Sequence, residues 1–329
     1  MMKRRTLLSA TAAAASALLL PAAMSQTSAY PGKPIKMIVP YAPGISPDIV
    51  ARLIGNKLGM ALGQPVIIDN KPGAGGMIGA EFAAAAPGDG YNLFFTVKGV
   101  MAIAPHLYPN ARYNALKDFK AISQILVVPH IITATPNAPY NNLKEMLEYA
   151  KKNPGKINYA SAGVGSQPHV ALEAWAKRMG IQLNHIPYKS NPGPDVMSGV
   201  VDIYLEASAS AIPSIQSGKI KALAVSGNDR LTSLPNLPTV TEFGANLDPN
   251  GVIGNSWHGI FTPASTPDEI VSRLNTEIVK IVNTPEIQAR LRFLGLTPTG
   301  TNAASLASGA ASDFAYWGAL IKELGITVE

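Results

Sequence analysis

The sequence contains no cysteine. Disulfides, thiolate metal ligands and a cysteine nucleophile are thereby excluded together. Histidine is scarce: His106, His130, His169, His185 and His258 are scattered without metal-ligand spacing, and single histidines of this kind are usually structural or surface residues. The motifs that mark common hydrolases and nucleotide enzymes are missing, with no HExxH, no GxSxG, no Ser-x-x-Lys paired with Lys-Thr-Gly and no Gly-x4-Gly-Lys. No catalytic residue, cofactor or metal is expected. Gly73-Ala74-Gly75-Gly76-Met77-Ile78-Gly79 approaches a dinucleotide fingerprint, but its spacing carries one extra residue and the acid expected near the end of the next strand is missing. No basic run is interleaved with aromatics, so nucleic acid is not an expected partner.

What is present describes a globular protein. Hydrophobic residues make up 47% of the chain, with Gly and Pro spread throughout, and 329 residues suffice for two α/β domains. The N-terminus stands apart. Met1 to Arg5 is basic, Thr6 to Leu20 is apolar and alanine-rich, and Pro21 to Ala29 is small and polar, with cleavage expected after Ser25 or Ala29. Residues 1–29 thus read as a secretory signal, too short in its apolar part to stay as a membrane span. Arg4-Arg5 leaves both the general and the twin-arginine export routes open. No other stretch reaches about 18 apolar residues, so the mature protein is expected to be a soluble periplasmic monomer. Losing Lys3, Arg4 and Arg5 lowers the net charge from +6 to +3. An exported chain without disulfides needs an ample core, which a mature chain of this length can supply.

The mature chain opens on a strand, a turn and a helix. Ile35, Met37, Ile38 and Val39 form an apolar run, and Pro40 to Pro47 a tight polar turn. From Asp48 to about Leu62, Ile49, Val50, Leu53, Ile54 and Leu58 recur at helical spacing, with Gly63 where a C-cap belongs. Ser46 is the expected N-cap and Pro47 the first helical residue. A second unit runs from Val66–Asp69 through Asn70–Gly76 into a helix at Met77. A third runs from Ile157–Ala160 through Ser161–Gln167 into a helix at Pro168. Repetition of this unit predicts parallel sheet with helices on its faces. The chain crosses into a second domain near Pro129, makes a Pro- and Gly-rich excursion over 227–254, and returns with the strand Gly259–Phe261. The expected organisation is one domain of residues 30–129 plus 256–329 and another of residues 130–255, with strand-end turns along a shared cleft.

The three turns share one chemistry. A helix start leaves amide N–H groups without intrahelical acceptors, and these can hold an anion such as a carboxylate without a dedicated arginine. Asp48 either neutralises a cationic group on a ligand or only complements the helix dipole. His169 either faces the cleft or packs its helix. Tyr188 and Glu206 follow strands and reach either the cleft or solvent. An anion gripped from two domains would draw them together.

A dispersed set of residues carries a resemblance. It includes Ile38-Val39-Pro40-Tyr41-Ala42-Pro43-Gly44 with Asp48, Asn70-Lys71-Pro72-Gly73-Ala74-Gly75-Gly76, and Ser161-Ala162-Gly163-Val164-Gly165-Ser166 with His169. Pro187-Tyr188-Lys189, Leu237-Pro238-Thr239-Val240 and Thr266-Pro267 extend it. From Tyr30 to the last helix the chain resembles the Bug receptors, the substrate-binding proteins of tripartite tricarboxylate transporters. The resemblance implies a type II periplasmic binding fold, α/β with two parallel-rich sheet domains, a hinge and an interdomain cleft. It implies capture of a small organic carboxylate, a dicarboxylate or an aromatic acid, by domain closure, and delivery to membrane transport subunits. It further implies a ligand site lined by Tyr41, Pro43, Gly44, Ile45, Ser46 and Asp48, by Gly73, Ala74, Gly75 and Gly76, and by Ser161, Ala162, Gly163, Gly165 and Ser166. Two departures stand out. Ile45 replaces a second glycine with Pro47 after it, and Ser190-Asn191-Pro192 follows Lys189 where glycine is usual. Ile45 with Tyr188 or Tyr204 favours an apolar or aromatic acid. A receptor signalling to a sensor needs the same cleft and is the alternative reading; an envelope enzyme is the third.

Overall fold

A computed structural model describes residues 30–243 and 254–327. The expected signal, residues 1–29, lies outside the described residues, as does 244–253 of the excursion. β1 (Ile35–Val39) leads into α1 (Ser46–Leu62), and β2 (Val66–Asn70) passes through a tight turn into α2 (Met77–Ala84). β3 (Asn92–Val97) ends in a wide helical turn and α3 (Ala104–Leu107), and β4 (Phe119–Val128) runs through Pro129 straight into β5 (His130–Ala134). Then come α4 (Leu143–Lys152), β6 (Asn158–Ser161), α5 (Gln167–Met179), β7 (Asn184–Pro187), α6 (Gly193–Ser198), β8 (Ile203–Ala207), α7 (Ser208–Gln216) and β9 (Lys221–Val225). β10 (Ser256–Pro263), α8 (Asp268–Val282), α9 (Pro285–Phe293), the two-residue β11 (Thr297–Pro298) and α10 (Ala303–Leu324) complete the chain.

Two sheets result, ordered β11-β4-β10-β3-β1-β2 and β7-β6-β8-β5-β9. β1 runs parallel to β2 and β3, and β6 parallel to β7 and β8. The strands that carry the chain between sheets pair antiparallel: β10 with β3 and β4, and β5 with β8 and β9. The division has a simple cause. A parallel pair needs a helical crossover, which the strand–turn–helix units supply, whereas β4 runs straight into β5 with no α-helix between them.

Ile35, Met37, Ile38 and Val39 are wholly buried, as expected of a strand covered on both faces. One side packs against α1, α8 and α9 through Ile54, Leu58, Leu274 and Ile278. The other packs through Ile38, Phe94, Trp257 and Phe261, joined by Leu306 and Ala310 of α10. Further along α10, Trp317, Leu320 and Ile321 enter the core of the second sheet beside Trp175 of α5. The last helix therefore braces both halves.

Two local expectations are corrected. The N-cap of α1 is Ile45, at φ −97° and ψ 166°, and Ser46 lies inside the first turn with Pro47 behind it. No side chain caps the helix: Asp48 Oδ2 accepts the Gly44 N–H of the preceding turn at 2.9 Å, and the Ser46 hydroxyl has no partner. α7 starts at Ser208, directly after β8. Glu206 therefore lies within β8 and is buried, not exposed past its end.

Candidate functional site

Two cavities lie between the sheets and meet at Tyr41, Ile45 and Ala162. The inner one measures about 50 Å³. Three helix starts converge on it: Ser46 and Pro47 of α1, Gln167 and Pro168 of α5, and Ala207 with Ser210 at α7. The dipoles of these helices give the space a positive character, although among the described residues no Lys, Arg, Asp or Glu lines it. Val97, Tyr204, His130, Ser256 and His258 complete its walls. The outer cavity, about 300 Å³, is bounded by Pro72, Gly73, Ala74, Tyr108, Gly163, Val164 and the turn Pro187 to Ser190.

The inner walls carry an unusual concentration of unanswered polarity. The Ser46 hydroxyl, the Gln167 side-chain oxygen, and Nδ1 of both His130 and His258 are buried without a hydrogen-bond partner. Each such atom costs on the order of 1–3 kcal/mol, so four around one small space mark it as built for something else to fill. Burial lowers the His130 pKa to about 4, with the Lys98 charge acting in the same direction. Burial also lowers His258 to about 3, reinforced by His130. Both imidazoles are neutral near pH 7. Three of the cavity tyrosines, by contrast, are occupied. Tyr41 donates to the Gly75 carbonyl at 3.0 Å, Tyr108 to the Val164 carbonyl at 2.8 Å, and Tyr188 to Asp195 at 2.7 Å. Their hydroxyls are spent on the protein itself.

Residues 50–326 match the family described as the tripartite tricarboxylate transporter family receptor. The chain belongs to this family. Solved relatives share its fold. The periplasmic binding protein BugD is 34% identical with a TM-score of 0.85, over 91% of this chain and 100% of that one. An R. palustris protein solved with adipate is 28% identical with a TM-score of 0.85, over 91% and 99%. MatC from Rhodopseudomonas palustris, with bound malate, is 28% identical with a TM-score of 0.83, over 89% and 100%. The chain is thus a periplasmic-type solute-binding receptor of two-sheet α/β build, and not an enzyme.

In this receptor the residues singled out from sequence part into three groups. Tyr41, Ile45 and Ala162 form the neck between the cavities, Ser46 lines the inner one, and Gly73, Ala74, Gly163 and Tyr188 line the outer. Ala74 holds φ +46°, the one positive φ outside glycine among the described residues, a conformation that costs energy and is commonest at functional turns. Ile45 is extended, so no glycine is needed there, and its side chain fills the neck.

A second group braces the turns and lines neither cavity. Asp48 accepts from Gly44, from Arg52 Nε at 3.0 Å and from Asn70 at 3.0 Å. Burial disfavours its charge, but the Arg52, Gly44 and Asn70 bonds outweigh that and hold its carboxyl below the usual range. Its oxygens are spent on the turn and not offered to a ligand cation. Ser161 Oγ meets His185 Nε2 at 2.7 Å and accepts the Gly163 N–H at 3.2 Å. The Gly165 N–H goes to His169 Nδ1 at 3.1 Å, and the His169 ring stacks on His185 at 4.1 Å. The Gly165 amide is therefore consumed inside the turn, and His169 packs its helix. Ser166 is the N-cap of α5. At Gly75 a Cβ would sit 2.6 Å from the Val164 carbonyl, and at Gly76 one would sit 2.5 Å from Val100. Gly75 thus lets the two turns touch across the cleft.

The third group stands apart. Pro43 and Gly44 are exposed and line neither cavity. Glu206 is buried behind Tyr204 with Oε2 unpartnered, and burial pushes its carboxyl up to about 7 against a hydrogen bond from Ser210. Sequence reading missed His130, Gln167, Ser210 and His258. A signal existed for two of them: His130 follows the expected crossing point at Pro129, and His258 adjoins the expected return strand, and such residues lie at the seam between domains.

Proposed function

We propose that the receptor captures a small organic acid between its two sheets and delivers it to membrane subunits of a tripartite transporter after export by its N-terminal signal. The ligand's carboxylate enters the inner cavity, where the starts of α1, α5 and α7 supply amide N–H groups and Ser46 a hydroxyl. Its body passes the Ile45 neck into the outer cavity, against the ring faces of Tyr41, Tyr108 and Tyr188 and against Pro72 and Pro187. The acid therefore has an apolar body, aliphatic as in a dicarboxylate or aromatic. Contact of Gly75 with the Val164–Ser166 backbone supports a closed form, which opens to admit ligand. The observation that carries the reading is the cluster of buried, unpartnered polar atoms where three helix starts from both halves converge.

A thermal-shift panel of aliphatic, aromatic and amino acids tests it. Ligand at 100 times its dissociation constant stabilises by about 2.7 kcal/mol, a readily measured rise in melting temperature for at least one acid. A broad panel of acids without any shift would refute the carboxylate reading.

A further inference from the structure

We infer that His130 and His258 are ligand-reading residues, a pair of neutral imidazoles that donate ring N–H groups to the carboxylate in the inner cavity from opposite sheets. The inference rests on the carboxylate reading above. His130 opens β5 of the second sheet, and His258 lies in β10 of the first. Both line the inner cavity, both are nearly inaccessible at 5% and 2% exposure, and Nδ1 of neither has a partner. The fold does not need these nitrogens. The backbone of His130 is held by Ser226, whose Oγ accepts its N–H at 2.7 Å and whose N–H donates to its carbonyl at 2.7 Å. The His258 ring packs edge-on to Phe95 at 5.6 Å, a contact that an apolar ring would make without burying an unanswered nitrogen.

A neutral imidazole carries one donor and one acceptor, and the partner it meets selects the tautomer. An anion in the cavity selects the N–H at the nearer nitrogen of each ring. Lys98, whose charge acts on His130, is occupied by the Asn255 carbonyl at 2.9 Å and by Asp313 at 3.4 Å, and it does not line the cavity. Because β4 crosses to β5 at His130 and the return strand begins beside His258, a carboxylate held by both rings ties one sheet to the other at the points where the chain passes between them. The pair thus reads the ligand and links its capture to closure.

The test is a ring-nitrogen NMR spectrum of receptor labelled with 15N-histidine at pH 7, titrated with adipate and with benzoate, the His130 and His258 signals being assigned through His130→Gln and His258→Gln. On binding of either acid, these two of the five imidazoles should shift. His130→Phe and His258→Phe should each weaken that acid at least tenfold, with partial recovery in the Gln variants, whose amide N–H can donate. Rings that stay unmoved while acid is bound, or Phe variants that bind as well as the parent, would overturn the pair. Should a Phe variant not fold, the spectrum of the unaltered protein decides. If the unaltered protein binds neither these probes nor any acid in the panel, the carboxylate reading itself falls and takes the pair with it.

Discussion

The inner and outer cavities share a neck but are built from different material. The inner wall is made of helix starts and deep strand residues, holds no charged side chain, and leaves four buried polar atoms unanswered. The outer wall is made of turns, carries the exposed Lys189, and includes Tyr108 and Tyr188, whose hydroxyls are bonded to the protein. The difference divides the labour of recognition. On the proposed reading, the inner space sets what chemical group is held, and the outer space, made of loops, sets what kind of body can follow it. Loops vary in shape more readily than helix starts anchored in a core, so relatives can share the first and differ in the second.

The comparison can be broken at the neck. Ala162 lines both cavities, and Ala162→Trp should plug the passage, reducing affinity for any acid at least a thousandfold, about 4 kcal/mol. Calorimetry checks this, with an unchanged circular dichroism spectrum as the control for folding. Retained affinity would mean that the two cavities do not form one site.

The next effect concerns stability behind the inner wall. The Glu206 carboxyl is raised to about 7 from 4.5, so the folded state keeps the proton to higher pH than the unfolded chain does. Its burden on stability is absent below about pH 4.5, grows through the interval up to 7 and is constant above. Glu206→Gln should therefore stabilise the receptor by up to about 3 kcal/mol at pH 8 and by almost nothing near pH 4.5. Denaturant titration at the two pH values reads the difference, and equal gains at both would contradict the buried placement.

How far the chain was legible follows from where the information sits. The opening unit, the crossing at Pro129 and the family were readable because period-3.6 and strand-like runs, Gly caps and an ordered set of motifs are local features. The Gly-rich turns were visible, but not which of their atoms the fold itself uses. A Cβ at Gly75 would meet the Val164 backbone carbonyl, and one at Gly165 the ring of Tyr108, approaches that local spacing does not reveal. The third helix start at the inner cavity is α7, introduced by Ala207-Ser208-Ala209-Ser210. It carries no glycine, and nothing in local spacing tells that its end meets those of α1 and α5. His130 and His258 were opaque for the same reason: lone histidines 128 positions apart become neighbours only through the β4–β5 and β10 crossings.

Smaller changes sharpen the division between the cavities. Ser46→Ala removes an inner hydroxyl that has no protein partner. Affinity should fall by about 1 kcal/mol for every acid alike, while stability is unchanged or slightly higher; a loss that differed between aromatic and aliphatic acids would place Ser46 against the ligand body instead. Lys189→Met at the exposed outer rim should cost a few tenths of a kcal/mol at physiological ionic strength. That loss should vanish at high salt and be larger for dicarboxylates than for monoacids, as titrations at two salt concentrations would report.

The central claim is that an ionised carboxylate is what the inner cavity holds. The most direct measurement is calorimetric titration of the receptor with matched pairs, adipate against dimethyl adipate and benzoate against methyl benzoate. Binding of at least one acid, with its ester at least a hundredfold weaker, is the predicted result. An ester that binds as tightly as its acid would contradict the account.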